Sequence, residues 1–376
     1  MKTGIDILIN REFAGVEGKR VGLLTHPAAL TADLTSTLDV FRRSEILLTA
    51  LFGPEHGLNG EAQDMIAIGD ASPDFRRVYS LYGDTFASLK PTAEMLDDLD
   101  VFIVDLVDVG SRYYTFQTTM LFCMQACAAV GLPVMVLDRP NPLGRTIEGP
   151  SIQRGFESFV GWHPICIRHG MTIGELAQLY RTECVPDVDL TVIPYEGDTV
   201  RPWVVPPSPN MPTLDTARVY PGMCLVEGTN LSEGRGTTRP FETVGHPAAD
   251  PEAVIKAINW PEGVQFLPVY FTPTFHKHAG KSCGGVRIVP TQETFEPVRT
   301  GLAVLMGFHE VLGDAFRWRT ETYEFVSHIP AIDLLFGSDR ERRRINANAH
   351  VDEISSEWFA EEAAFRERRK PYLLYP

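Results

Sequence analysis

VFIVDLVDVGSRYYTFQTTMLFCMQACAAVGLPVMVLDRPNP, residues 101–142, is the stretch whose reading decides the fold. Residues 101–106 are a short apolar β-branched run without alternation, as in a strand buried on both faces of a parallel sheet. From Tyr113 to Leu137 no side chain is charged. That length is enough in principle to span a bilayer. However, Gln117, Thr118, Thr119 and Gln125 interrupt it, and Gly131-Leu132-Pro133 breaks it. The spacing therefore predicts a buried helix over 116–129, a turn, and a second buried strand over 133–137. Strand, helix and strand in this order form a parallel crossover unit.

The same pattern extends outward. Apolar runs at 20–25, 45–52 and 190–195 read as further strands of one sheet. Thr172 and Glu175 form a capping box before Leu176, Leu179 and Tyr180, so a helix starts at 173. The fold class expected is α/β: a Rossmann-like, doubly wound parallel-sheet domain over 1–205. Pro202, Pro206, Pro207, Pro209 and Pro212 then read as an extended connector, because proline fixes φ and lacks an amide donor. A smaller α+β domain is expected over 206–376, with strands near 223–226, 264–271 and 285–289 and helices near 296–312 and 352–369. With 376 residues, 44% of them hydrophobic, the chain has enough apolar material for two cores.

Charge and composition narrow the partners. Lysine plus arginine number 34 against 49 aspartate plus glutamate, a formal net charge of −15. That balance excludes a nucleic-acid binder, which needs a basic face. An anionic substrate requires a local arginine cluster. Six cysteines without a CxxC pair give neither a disulfide framework nor a zinc knuckle. The N-terminus has no apolar signal segment, so a soluble, cytoplasmic chain with no membrane span is expected. No G-x-G-x-x-G, P-loop or G-x-S-x-G motif stands at a strand end, and His276, His278 and Cys283 lack a familiar metal spacing. No cofactor and no metal are expected.

Open parallel sheets bind ligands at the carboxyl ends of their strands. Those ends carry Thr25-His26-Pro27, then Gly53-Pro54-Glu55-His56-Gly57, then Asp105 through Asp108 to Arg112-Tyr113-Tyr114, and Asp138-Arg139-Pro140-Asn141-Pro142. The second domain adds the glycine-rich loop 227–237, with Glu227 at the end of an expected strand. Two carboxylates facing across a cleft suit glycosidic-bond cleavage: one protonates the leaving oxygen, the other supports the anomeric centre or activates water. Two other readings stay open on the residues alone. One is a non-catalytic saccharide-binding module, the other a metal-dependent hydrolase using His26, His56 and Asp105.

These motifs, with Tyr79–Gly83, His169-Gly170-Met171-Thr172 and Pro207-Ser208-Pro209-Asn210-Met211-Pro212, resemble the DUF1343 family in order and spacing from about Val21 to the C-terminus. Its characterised members are exo-β-N-acetylmuramidases of glycoside hydrolase family 171. The resemblance implies a Rossmann-like domain, an auxiliary domain, and a cleft releasing N-acetylmuramic acid from non-reducing ends of peptidoglycan fragments. It implies that Glu55 is the catalytic acid, and Glu227 is carried as the second. One departure is Val107, where many members have glutamine. The lactyl carboxylate of muramic acid calls for arginine, and Arg112, Arg139 and Arg235 are the nominees. Substrate contacts are further expected from His26, His56, Asp105, Asp108, Tyr113, Asn141, Asn210, Asn230 and Glu233.

Overall fold

The computed structural model describes residues 1–58, 77–197 and 203–376. Pro202 of the proline-rich connector lies outside them; the described part, 203–212, is irregular backbone. Six parallel strands form the large sheet: β1 Arg20–Thr25, β2 Leu47–Gly53, β3 Val78–Ser80, β4 Val101–Asp105, β5 Val134–Leu137 and β6 Leu190–Ile193. Their order is β3-β2-β1-β4-β5-β6. The order reverses between β1 and β4, which is the doubly wound arrangement expected of an alternating strand–helix chain. Strand β4 is buried at every position, as the apolar run 101–104 requires, and ends in the buried Asp105.

Helix Phe116–Ala129 is buried on nearly all sides. This explains why its sequence carries no charge and no polar stripe. Its polar members find partners inside: the Gln117 amide donates to the Arg112 carbonyl at 2.9 Å, and its oxygen accepts from the Tyr180 hydroxyl. Thr172 caps helix Ile173–Glu183 through the expected reciprocal pair with Glu175.

The second half holds an antiparallel sheet in the order β7-β9-β8, with β7 Thr243–His246, β8 Val264–Phe271 and β9 Cys283–Pro290. The strand expected near 223–226 is helical instead. Helix Leu214–Met223, capped by Thr213, runs directly into a 3-10 segment, Cys224–Gly228. Four apolar residues cannot by themselves distinguish a strand from a buried turn of helix. Tertiary packing decides: Gly222 lies so close to helix Pro297–Leu312 that a Cβ there would meet the Pro297 carbonyl oxygen at 1.8 Å. The expected helix over 352–369 is two helices, Val351–Ser356 and Phe359–Arg369. Between them the Trp358 indole is buried and donates to Glu341 at 3.0 Å.

A single hydrophobic cluster runs through both halves, from Leu24 and Phe102 to Leu302, Phe336 and Trp358. Arg112 helps fasten them. Its guanidinium, buried completely, donates to the carbonyls of Pro150 and Ile165 on one side and of Leu335 and Phe336 on the other, at 2.6–3.0 Å. Among the described residues no helix is long and apolar enough to cross a membrane.

Candidate active site

At the carboxyl end of β2 the chain turns sharply, with the Gly57 amide donating to the Pro54 carbonyl at 3.0 Å. His56 adopts φ +71°, a left-handed conformation that few non-glycine residues take. The turn carries Glu55, whose Oε2 accepts from the Thr115 hydroxyl at 2.5 Å. Thr115 stands at the N-cap of helix Phe116–Ala129, yet its side chain makes no cap hydrogen bond there. Its hydroxyl serves the carboxylate instead.

Glu55 lines a narrow cleft between the two halves. Its walls are largely aromatic: Tyr113, Tyr114, Phe116, Tyr220, Phe241 and Tyr323. Such rings offer flat apolar faces to a sugar. The polar lining includes His56, Ser208, Asn210, Glu227, Arg235 and Glu324. Glu227 is held at both oxygens: Oε1 takes Arg235 Nη2 at 2.6 Å, and Oε2 takes the Tyr323 hydroxyl at 2.7 Å. Arg235 also lies 3.2 Å from Glu233 through Nε and stacks over the Phe241 ring at 5.0 Å. Burial alone would raise the Glu233 carboxyl. Lys277, the His276 hydrogen bond and Arg235 outweigh it, and hold the group well below the usual carboxylate range.

The structure thus brings Glu55, His56, Tyr113, Asn210, Glu227 and Arg235 to one cleft, and sends the other nominees elsewhere. Arg112 is consumed by the four carbonyls described above. Asp105 takes the Arg139 guanidinium in a bidentate pair at 2.5 and 2.9 Å and also accepts from Thr37. Arg139 further donates to the Leu30 carbonyl, so both charges are satisfied within the fold. Asp108 Oδ2 accepts from the Gly110 amide at 2.7 Å. With Val107 and Arg139 it borders a separate, mostly apolar recess. Asn141 locks a turn through Leu143 and Met171, and Asn230 bridges Ala315 and Arg317. Glu233 sits behind Arg235 rather than in the cleft lining. Tyr113 borders the cleft, although its hydroxyl donates to the Pro221 carbonyl.

His26 also lies outside the cleft lining, held within the fold. Its Nε2 accepts from the Val107 amide at 2.9 Å, and its ring packs edge-on against Phe116. Burial first, then the positive charge of Arg139, pushes its pKa down to about 3, so the ring is neutral. With His26 and Asp105 committed in this way, the triad with His56 offers no ligand set. Among the described residues no group of three His, Cys, Asp or Glu is placed to hold a metal ion. Of the three nominated arginines, all among the described residues, Arg235 is the one that lines the cleft.

Thr115, Tyr220, Phe241, Tyr323 and Glu324 were not singled out by sequence reasoning. Thr115 directly follows the Arg112–Tyr114 motif and was within reach of it. The others stand outside any strand end, and Glu324 lies in a stretch with no motif.

Comparison with known proteins settles the family. One family model, Exo-beta-N-acetylmuramidase NamZ, N-terminal, matches residues 21–215, and its C-terminal counterpart matches residues 218–375. The chain belongs to the NamZ family. A family relative, the peptidoglycan beta-N-acetylmuramidase NamZ of Bacillus subtilis (strain 168), is 42% identical, covering 100% of this chain and 91% of the relative. Two crystal structures of DUF1343 family proteins from Bacteroides fragilis NCTC 9343 share its fold at 30% identity, with TM-scores of 0.87 and 0.77. Each alignment covers 100% of this chain, and 99% and 98% of those chains respectively. The α/β architecture, with its parallel sheet and smaller antiparallel sheet, is therefore that of the NamZ family.

Proposed function

We propose that this chain is an exo-acting glycoside hydrolase releasing N-acetylmuramic acid from non-reducing ends of peptidoglycan fragments, with Glu55 as general acid. One observation carries the reading: a buried glutamate, anchored by Thr115, faces an aromatic-walled cleft that also holds Arg235. The relationship to the Bacillus subtilis muramidase supports the same chemistry. Residues 1–205 supply the acid, and 206–376 supply the opposing wall.

The pyranose ring lies against the tyrosine and phenylalanine faces. Arg235 meets the lactyl carboxylate, the group that distinguishes muramic acid from glucosamine, through a charge-assisted bond. Glu55 gives its proton to the glycosidic oxygen as the bond to C1 breaks. Glu227, held by Arg235 and Tyr323, fixes the position of that guanidinium on the opposing wall.

Product analysis on the para-nitrophenyl glycosides of N-acetylmuramic acid and N-acetylglucosamine tests the reading. Release from the muramic acid glycoside alone is expected. Tight binding of the sugar without release would favour a non-catalytic saccharide-binding protein.

A further inference from the structure

Tyr323 and Val326 exchange both backbone hydrogen bonds at 2.9 Å, closing a two-residue hairpin turn. Its central residues, Glu324 and Phe325, stand at φ +45° and +68°. Positive φ at both positions is the signature of a type I′ turn, for which Asn-Gly is the favoured pair. A glutamate and a phenylalanine there are both strained, because a Cβ crowds the backbone in this region. Strain of this kind persists only where the surroundings enforce it, and it concentrates at functional sites.

What the turn accomplishes is visible in its contacts. Phe325 packs against Tyr82 and Phe86 of the first half, with ring centroids 5.7 and 6.2 Å apart. The Tyr82 hydroxyl donates to Glu324 Oε2 at 3.1 Å. Glu324 is 2% exposed and lines the same cleft as Glu55. Among the described residues that line the cleft, the carboxylates are Glu55, Glu227 and Glu324. Glu227 is fastened at one oxygen by a guanidinium and at the other by a phenol, a state that suits a fixed charge rather than a proton acceptor.

We propose that Glu324, rather than Glu227, is the catalytic carboxylate that works with Glu55; the inference rests on the glycosidase reading above. As the C1–O bond breaks, its electron pair stays with the leaving oxygen, which takes the Glu55 proton. A water oxygen bonds to C1, and Glu324 accepts the proton that this water loses. Glu55 ends as a carboxylate and Glu324 as a carboxylic acid, and exchange with solvent restores both. The turn, anchored through Tyr82 and Phe325, holds the base against the half of the molecule that carries the acid.

The test uses the full-length protein and the para-nitrophenyl glycoside of N-acetylmuramic acid, with Glu324→Gln and Glu324→Ala compared with wild type. Glutamine still offers an oxygen to Tyr82, so the turn should keep its fold, checked by an unchanged melting temperature. Expected is a loss of about 100-fold or more in kcat for Glu324→Gln. Azide should restore turnover to Glu324→Ala and appear in the product as a glycosyl azide, because a small anion needs no base. Glu324→Gln turning over at nearly the wild-type rate would overturn the proposal. So would a Glu324→Ala defect that azide neither relieves nor traps. A silent wild type in the same assay would instead overturn the glycosidase reading on which the proposal rests.

Discussion

Replacing Arg112 by lysine separates two roles that its position in the sequence does not distinguish. The guanidinium makes four hydrogen bonds, at 2.7 and 2.9 Å to Pro150 and Ile165 and at 2.6 and 3.0 Å to Leu335 and Phe336. A lysine ammonium keeps the charge but is a compact donor on a single atom, and cannot span both pairs of carbonyls. If two of the four bonds are lost, at roughly 1.5–3 kcal/mol each for a charged donor, the cost is about 3–6 kcal/mol. With one core joining both halves, 376 residues unfold as a unit and lose roughly 1.3 °C per kcal/mol, so the melting midpoint should fall by about 4 °C or more. The assay is a thermal melt followed by circular dichroism, paired with kinetics well below the midpoint, where KM for the muramic acid glycoside should hold its wild-type value. A midpoint within about 1 °C of wild type, with KM raised tenfold, would refute this reasoning and return Arg112 to the substrate.

Arg235→Lys should raise KM for the muramic acid glycoside by about tenfold or more, the equivalent of one charge-assisted hydrogen bond. Binding of the glucosamine analogue should change little, and equal losses on both sugars would remove Arg235 from carboxylate recognition. Glu148 provides a pH test of the fold. Burial pushes its pKa up to about 8 from the ordinary 4.5, so folding resists its ionisation. The stability it contributes is full below pH about 4.5 and declines as pH rises to about 8. Glu148→Gln should therefore match wild type in acid and grow progressively more stable than it towards pH 8, as read by denaturant melts. A constant difference across that range would contradict the sign.

The parallel sheet was legible because burial on both faces leaves runs such as 101–104 continuously apolar, and because Thr172 and Glu175 announce their helix by a local rule. Segments that depend on distant packing were not legible. Residues 223–226 read as a strand by composition, and the crossing of Gly222 with helix Pro297–Leu312 accompanies their helical course. The site shows the same divide. Strand ends locate polar residues at one edge, but do not say where long side chains point. Arg112 and Arg139 turn inward to carbonyls and to Asp105, while Glu55 and Arg235 face the cleft. Glu324 was invisible because its turn lacks the glycine or asparagine that normally marks one.

The catalytic reading stands or falls on Glu55. Glu55→Gln keeps an oxygen to accept the Thr115 hydroxyl but has no proton to give. With a peptidoglycan disaccharide bearing N-acetylmuramic acid at its non-reducing end, whose sugar leaving group departs only when protonated, kcat should drop by about 10²–10⁴-fold while KM and the melting temperature stay near wild type. A variant that turns over within a few-fold of wild type would contradict the assignment of Glu55 as the acid.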